Sequence, residues 1–508
     1  MPRCSTLVEL LSRGEDSAAA LGAPGTPDLT YAGLRQLIIS TVRDLNAWGI
    51  GRNDRVAIVL RNGPEMAASF LAVACGTTSA PLNPGYRADE FEFYMSDLKA
   101  RALIVERGAD TPAVVVAEKL GMMVIDLIPE PAKGAGSFRL ELRSGAPSSL
   151  ALGGWAAADD IALILHTSGT TSRPKIVPLT QRNVAVSAGN IAQSLRFTSR
   201  DRGLNIMPLF HIHGLIAATL APVSAGAYIF CSPGFNALRF FAWMEECKPN
   251  WYTAVPTMHQ TILTRASQNR ATIEKYPLRF IRSSSSSLPT QVIRELEEVF
   301  GAPVIEAYGM TEASPQMCSN PLPPKARKPG SVGIAAGPKV AIMDTQGRLL
   351  PAGETGEIVI RGANVTPGYE NNPKANAEAF TRGWFRTGDQ GVMDGEGYVT
   401  LTGRLKEIIN RGGEKISPRE VDEVLMDHPA VLQVVTFAIP HDKLGEEVGA
   451  AVVLREGSQA TDQDIRSFAA TRLADFKVPR KVLILDEIPK GATGKLQRIG
   501  LAQKLGLV

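Results

Sequence analysis

The densest chemical signal in the chain is the loop His166-Thr167-Ser168-Gly169-Thr170-Thr171-Ser172-Arg173-Pro174-Lys175, which follows the apolar run IALILHT at 161–167. Small residues let a backbone approach a ligand. Hydroxyls, exposed N–H groups and two cations supply donors to anionic oxygens, so a polyphosphate suits this composition. A solvated Ser/Thr turn has the same composition, and on these residues alone both readings stand. The loop is not a Walker A motif, because no G-x-x-x-x-G-K-[ST] is present. Further groups able to do chemistry are Glu312, ending Tyr308-Gly309-Met310-Thr311-Glu312, and Asp389, ending Arg386-Thr387-Gly388-Asp389. To these are added the five serines at 283–287 behind Arg282, the pair His211-Ile212-His213, and Lys495 in Ala492-Thr493-Gly494-Lys495-Leu496. The two histidines have no cysteine or third ligand nearby that would make a zinc site. Arg282 ends an apolar strand, and a buried Arg needs an anionic partner: a bound anion or an internal Glu.

These residues need elements to hold them. RVAIVL (55–60), ALIVE (102–106), MVIDLI (123–128), YIF (228–230), WYTAV (251–255), LRFIRS (278–283) and PVIEAYG (303–309) are short apolar runs. Helical patterns such as TQVIRELEEVF (290–300) lie between many of them. Runs without strict alternation predict strands covered on both faces, as in a largely parallel α/β sheet. From about 330 the texture becomes short strands between Gly-rich turns, a β-rich lobe. After Arg404 it changes again. Ser417-Pro418-Arg419-Glu420 predicts a helix start with Ser as N-cap, Pro at the first position and Glu closing a capping box. Strands VLQVVTFAI and GAAVVL, a helix near 462–474 and KVLILDEI complete a compact α+β unit, with a boundary near Lys406. The charge-free stretch 214–238 is long enough to suggest a membrane span, but Pro222, Gly226, Pro233 and Gly234 break it into a buried helix and a buried strand.

Composition narrows the partners. The chain has 508 residues, 44% apolar and 21% charged, with 54 Lys plus Arg against 51 Asp plus Glu. A net charge of +3 is too balanced for nucleic-acid binding through a basic surface. Cysteines at 4, 75, 231, 247 and 318 form no C-x-x-C and favour a reducing compartment. Glu9 interrupts any secretory core near the N-terminus, so a cytoplasmic protein without stable membrane insertion is expected.

Taken in order, the loop at 166–175, Tyr308-Gly309-Met310-Thr311-Glu312, Gly356-Glu357-Ile358, Thr387-Gly388-Asp389, Gly403-Arg404-Leu405-Lys406-Glu407 and Pro489-Lys490-Gly491-Ala492-Thr493-Gly494-Lys495 resemble the adenylate-forming (AMP-binding) superfamily over nearly the whole chain. That superfamily contains acyl-CoA synthetases, luciferases and peptide-synthetase adenylation domains. The resemblance implies an α/β fold: a large N-terminal AMP-binding domain of stacked α/β sheets at 1–404, its β-rich lobe at about 330–404, and a small mobile α+β domain at 405–508. It also implies a two-step reaction. A carboxylate attacks the α-phosphate of Mg-ATP to give an acyl-adenylate and pyrophosphate; a thiol, usually that of coenzyme A, then displaces AMP. A carboxylate alone would have to expel oxide, and AMP is a far better leaving group, so catalysis is alignment and charge neutralisation.

The same resemblance assigns roles. Thr167, Ser168, Gly169, Thr170, Thr171 and Lys175 are expected on the phosphates, with Glu312 and Thr170 on Mg2+. Thr311 is expected on the α-phosphate, Asp389 and Arg404 on the ribose, and Ser284, Ser285, Ser286, Glu306, Ala307, Tyr308, Gly309 and Met310 around the nucleotide. Lys495, rather than Lys490, bridges the acid and the α-phosphate; Lys406 is the hinge, and Gly413 lines the pantetheine path. His211, Arg282 and Ser314 are expected at the acyl pocket. Ser172 and Ile176 stand where the wider family carries Gly, and Gln181 stands in place of a common His.

FHIHG, WYTAVPT, FIRSSSSSL and SNPLPP look most like the oxalate–CoA ligase branch, and a small dicarboxylate would give Arg282 or His211 its anion. Pro315 departs from that branch, which often carries a His there. A medium- or long-chain fatty acid, with Arg282 paired internally, is the alternative; a second is an adenylation enzyme that loads a carrier protein. A non-catalytic relative is disfavoured by Glu312, Asp389 and Lys495.

Overall fold

The computed structural model describes residues 4–167, 174–490 and 496–508. Two sheets build the large N-terminal domain. In the seven-stranded sheet, Met123–Pro129, Ala102–Glu106, Arg55–Val59, Thr78–Pro81 and Ile161–His166 run parallel, with Phe138–Ser144 and Ile176–Thr180 antiparallel at the edges. In the nine-stranded sheet, Ala19–Ala23, Tyr228–Cys231, Arg202–Asn205, Trp251–Ala254, Phe280–Ser284 and Val304–Gly309 lie parallel side by side. Val56, Ile104 and Leu163 of one sheet and Leu21, Ile229, Phe280 and Ile305 of the other belong to one continuous apolar core. Burial on both faces is why these strands read as unbroken apolar runs.

Parallel strands place all their carboxyl ends on one edge, where an open α/β sheet binds ligands. The segment leading to His211, the serine run and the Thr311–Ala313 turn all emerge there, after Arg202–Asn205, Phe280–Ser284 and Val304–Gly309 respectively. The 214–238 stretch is a buried helical segment His213–Leu220 followed by the buried strand Tyr228–Cys231. Among the described residues no helix is long and apolar enough to cross a membrane.

Beyond the second sheet, Lys339–Met343, Thr355–Arg361, Phe380–Thr381, Trp384–Met393 and Val399–Arg404 form an antiparallel sheet, the β-rich lobe. The small C-terminal domain is a mostly antiparallel sheet of Ile409–Arg411, Glu414–Ile416, Val431–His441, Gly445–Leu454 and Lys481–Ile484, with helices Pro418–Met426 and Asp462–Ala470.

The capping box expected at Ser417 does not form. Ser417 is the N-cap residue, but its hydroxyl donates to the Thr402 carbonyl instead of accepting from its own helix, and Glu420 pairs with Lys477 at 2.6 Å. The reason is position: this helix starts against the last strand of the β-rich lobe. Arg419 reaches across too, donating to Leu401 O at 2.8 Å and Gly330 O at 3.3 Å. Pro418 at the first helical position leaves one fewer N–H to satisfy, which lowers the cost of spending the Ser hydroxyl elsewhere.

Candidate active site

The stem of the phosphate-type loop is closed at its mouth: Thr167 N donates to Lys175 O at 3.0 Å, and Lys175 N to Thr167 Oγ1 at 3.1 Å. Ser168, Gly169, Thr170 and Thr171, and likewise Lys495, lie outside the described residues. Ile176 begins the edge strand and is buried. Gln181 is buried at the start of the helix Gln181–Ser194, where its Oε1 accepts from Leu7 N at 3.0 Å and its Nε2 donates to Ala74 O at 2.5 Å. At that position the residue ties the N-terminal helix to the core.

Glu312 sits on a single turn, Thr311–Ala313, immediately after the strand Val304–Gly309. The turn is pinned from the segment 364–369. Thr366 N donates to Glu312 O at 2.7 Å, and Asn364 Nδ2 to Ala313 O at 2.7 Å. Tyr369 Oη donates to Glu312 Oε1 at 2.7 Å, and Lys175 Nζ lies 4.3 Å from the centre of the Tyr369 ring. Glu312 is 5% exposed; burial holds its carboxyl above the usual range, and the tyrosine hydroxyl and Lys175 oppose that shift. A buried, oriented carboxylate oxygen is a hard donor of the type Mg2+ takes together with substrate phosphates. Gly309 is required by packing: a Cβ there would meet Pro315 O at 2.3 Å. Ser314 is buried at φ +64°, and its hydroxyl has no partner among the described residues.

Asp389 is positioned by Glu357. One Glu357 oxygen accepts from Gly388 N at 2.9 Å, the other from Arg386 Nε at 2.8 Å, and Thr387 Oγ1 donates to Ile358 O at 2.7 Å. The turn thus presents Asp389 to two donors, Arg404 Nε at 2.9 Å and Tyr308 Oη at 2.5 Å. Desolvation and the adjacent carboxylate push the Tyr308 phenol well above its ordinary pKa, so it stays a donor. Ser284 Oγ donates to Ala307 O at 2.9 Å and joins the ends of two parallel strands, while Ser285 turns off the strand at φ +76° and is half-buried. Glu306 accepts from Gly330 N at 3.1 Å near Arg419, and burial pushes its carboxyl up to about 7.

At the expected acyl pocket, His211 is half-buried with its ring 4.4 Å from that of Phe210. Arg282 is 1% exposed. Its NH1 lies 3.2 Å from His213 Nε2 and 3.5 Å from Thr253 Oγ1. Among the described residues it makes no ion pair, and its Nε is buried with no hydrogen-bond partner. Burial lowers the guanidinium to about 10, so at neutral pH it stays charged. Of the two histidines, it is His213 that joins this cluster, with Nδ1 3.0 Å from Ser285 Oγ and Nε2 2.7 Å from Thr253 Oγ1. Lys406 is exposed in the turn after Arg404, and Gly413 forms a hairpin tip at φ +99° with open space where a Cβ would stand.

The roles of His213, Thr253 and Glu357, and Tyr369 altogether, are not legible in the sequence. His213, Thr253 and Glu357 lie inside the motifs named above, but Tyr369 in Pro367-Gly368-Tyr369 carries no local chemical signature.

The family described as AMP-binding enzyme matches residues 12–370, and its C-terminal domain matches residues 420–495. The oxalate–CoA ligase of Arabidopsis thaliana is 46% identical over 98% of this chain and 98% of its own. That of Saccharomyces cerevisiae is 43% identical over 89% of this chain and 87% of its own. Among solved structures, ATP-bound MatB from Rhodopseudomonas palustris superposes with a TM-score of 0.87 at 28% identity, covering 99% of this chain and 98% of that one.

Proposed function

The chain belongs to the AMP-binding enzyme family and is an AMP-forming acid–CoA ligase, and on that premise we propose that the acid it activates is a small dicarboxylate, oxalate first. It uses ATP, Mg2+ and CoA. The observation that carries the substrate is Arg282: a buried, protonated guanidinium without a carboxylate partner among the described residues. An unpaired buried charge is costly, and a bound anion offsets that cost; a fatty chain would not. The names of the two relatives above point the same way. Pro315 stands where that branch often carries a His, so in this chain the second carboxylate falls to the Arg282 and His211 side of the pocket.

The reaction follows from what the side chains offer. Thr167 and Lys175, with Ser168, Gly169, Thr170 and Thr171, receive the polyphosphate, and Thr311 meets the α-phosphate. Asp389, flanked by Tyr308 and Arg404, receives the ribose, and the backbone of the serine turn with Ala307, Gly309 and Met310 walls the base. Glu312, with Thr170, would hold Mg2+, whose charge screens the phosphates. To Lys495 we assign the bridge between the acid's carboxylate and the α-phosphate as the acyl–oxygen–phosphorus bond forms and pyrophosphate leaves. The domain 405–508 then turns about Lys406 on the domain 1–404, so that the Gly413 hairpin lines the path by which the CoA thiol reaches the acyl carbon and AMP departs. Five free cysteines, four of them buried, suit a reducing compartment, and we place the protein in the cytoplasm.

The test is pyrophosphate release across a panel of mono- and dicarboxylic acids, with and without CoA. Oxalate or another short dicarboxylate should give the highest kcat/KM, and thioester should accumulate only with CoA. Preference for medium- or long-chain monocarboxylates would remove the substrate assignment and leave the reaction class.

A further inference from the structure

Arg282 is beneath the surface, so its charge has to reach a bound acid through something else. The cluster supplies that path. A guanidinium nitrogen can only donate, so the 3.2 Å approach of Arg282 NH1 to His213 Nε2 is a hydrogen bond only where Nε2 is the accepting nitrogen of the ring. The proton then sits on Nδ1, which donates to Ser285 Oγ at 3.0 Å. Thr253 agrees with this order, its hydroxyl 2.7 Å from Nε2 and its oxygen open to Arg282 NH1 at 3.5 Å. His213, Thr253 and Arg282 are all buried, which holds the arrangement before any ligand arrives.

The tautomer decides what Ser285 can bind. With Nδ1–H donating to it, the hydroxyl keeps its own proton for an outside acceptor. With a bare Nδ1, that proton would be spent on the ring, and Ser285 could offer a carboxylate only lone pairs. Ser285 is half-buried, turned off its strand at φ +76°, and has no other hydrogen-bond partner among the described residues. We propose that His213 is a positioning residue, locked by Arg282 in the Nδ1–H tautomer, that makes the Ser285 hydroxyl a hydrogen-bond donor to a carboxylate of the bound acid. The inference rests on the dicarboxylate reading only for which carboxylate is met, the distal one.

Two measurements test it on the full-length enzyme. The first is a long-range proton–nitrogen correlation spectrum of histidine-labelled protein, six histidines in all, with the His213 signal assigned by its loss in His213→Leu or His213→Asn. Wild type should show the Nδ1–H tautomer, and Arg282→Met should lose that preference; Nε2–H in the wild type overturns the proposal. The second is the KM for the fastest-used acid in Ser285→Ala, His213→Leu and the double variant. Each single change should raise that KM about tenfold while the KM for ATP holds, and the double variant should be no worse than Ser285→Ala, since both remove one donor. Multiplying effects, or equal losses on ATP, would make His213 a packing residue and overturn it. If His213→Leu does not fold, the spectrum alone decides. If coupling appears with monocarboxylates while no dicarboxylate is used, the relay stands and the substrate assignment falls.

Discussion

Tyr369 Oη and Glu312 Oε1 are 2.7 Å apart, and the same tyrosine ring carries Lys175 4.3 Å from its centre. One side chain therefore spaces a carboxylate from a cation that arise on different segments. Its backbone is clamped by Asn376, which accepts from Tyr369 N at 2.7 Å and donates to Tyr369 O at 2.8 Å. Glu312 thus has one oxygen oriented by a hydroxyl and its buried charge offset by Lys175.

Tyr369→Phe should keep the ring under Lys175 but free the Glu312 carboxylate to rotate. Losing a hydrogen bond to a charged group corresponds to about tenfold to a hundredfold, read here as slower pyrophosphate release and a higher Mg2+ requirement. Glu312→Gln, which removes the charge itself, should cost orders of magnitude more while leaving the fold intact. An unchanged Mg2+ titration in Tyr369→Phe would show that the tyrosine does not position the carboxylate.

The strands and helices of the N-terminal sheets were readable because burial on both faces leaves an apolar signature: ALIVE at 102–106 and TQVIRELEEVF at 290–300 are elements with those same ends. Glu312 and Asp389 were readable as candidates from ordered motifs. What holds them is not, because Tyr369, Glu357 and Thr253 meet their hydrogen-bond partners across tens of residues, a pairing that no local pattern encodes. Ser417 shows the converse: the sequence predicts a local capping partner, and a tertiary acceptor, Thr402 O, takes the hydroxyl instead. The sequence requires an anion or an internal Glu for Arg282; the structure adds that no described carboxylate supplies one, and that His213 Nε2 lies 3.2 Å from its NH1.

Arg282→Met should separate acids by charge. Short dicarboxylates should lose kcat/KM by about a hundredfold, since a carboxylate loses the charge behind its hydrogen bonds, and monocarboxylates should change by less than about tenfold. The measurement is kcat/KM for both classes with CoA and ATP saturating. Equal loss on every acid would mark Arg282 as structural.

Glu306 gives a pH-dependent prediction. Its folded pKa is raised to about 7 by burial, so folding favours the protonated acid. Its contribution is complete below the unfolded carboxylate range and is lost as pH rises through about 7. Glu306→Gln, permanently neutral and able to accept from Gly330 N, should therefore gain melting temperature over wild type as pH goes from 5 to 8. The full gap corresponds to at most about 3 kcal/mol. A difference in melting temperature that does not grow over this range would mean that Glu306 is charged throughout and paired with Arg419.

The two half-reactions should come apart by mutation. On the proposed mechanism the C-terminal domain brings Lys495 to the phosphates in the first step and the Gly413 hairpin to the thiol in the second. One small domain cannot seat both ends in one cleft together. Lys495→Ala should abolish pyrophosphate release yet still convert supplied acyl-adenylate and CoA to thioester. Gly413→Leu should do the reverse: nothing lies within 4 Å of a Cβ at 413, but a branched side chain at φ +99° strains the hairpin and obstructs a pantetheine arm passing it. Lys406→Pro tests the hinge. The Lys406 amide makes no hydrogen bond among the described residues, while its neighbours are tied back, Leu405 N to Gly388 O at 2.9 Å and Glu407 N to Arg404 O at 2.8 Å. Proline therefore removes no bond and acts by restricting φ, which should slow thioester formation more than adenylation. The deciding assay gives synthetic acyl-adenylate and CoA to each variant. If Lys495→Ala fails there as badly as it does with ATP, Lys495 serves both steps and the domain does not alternate.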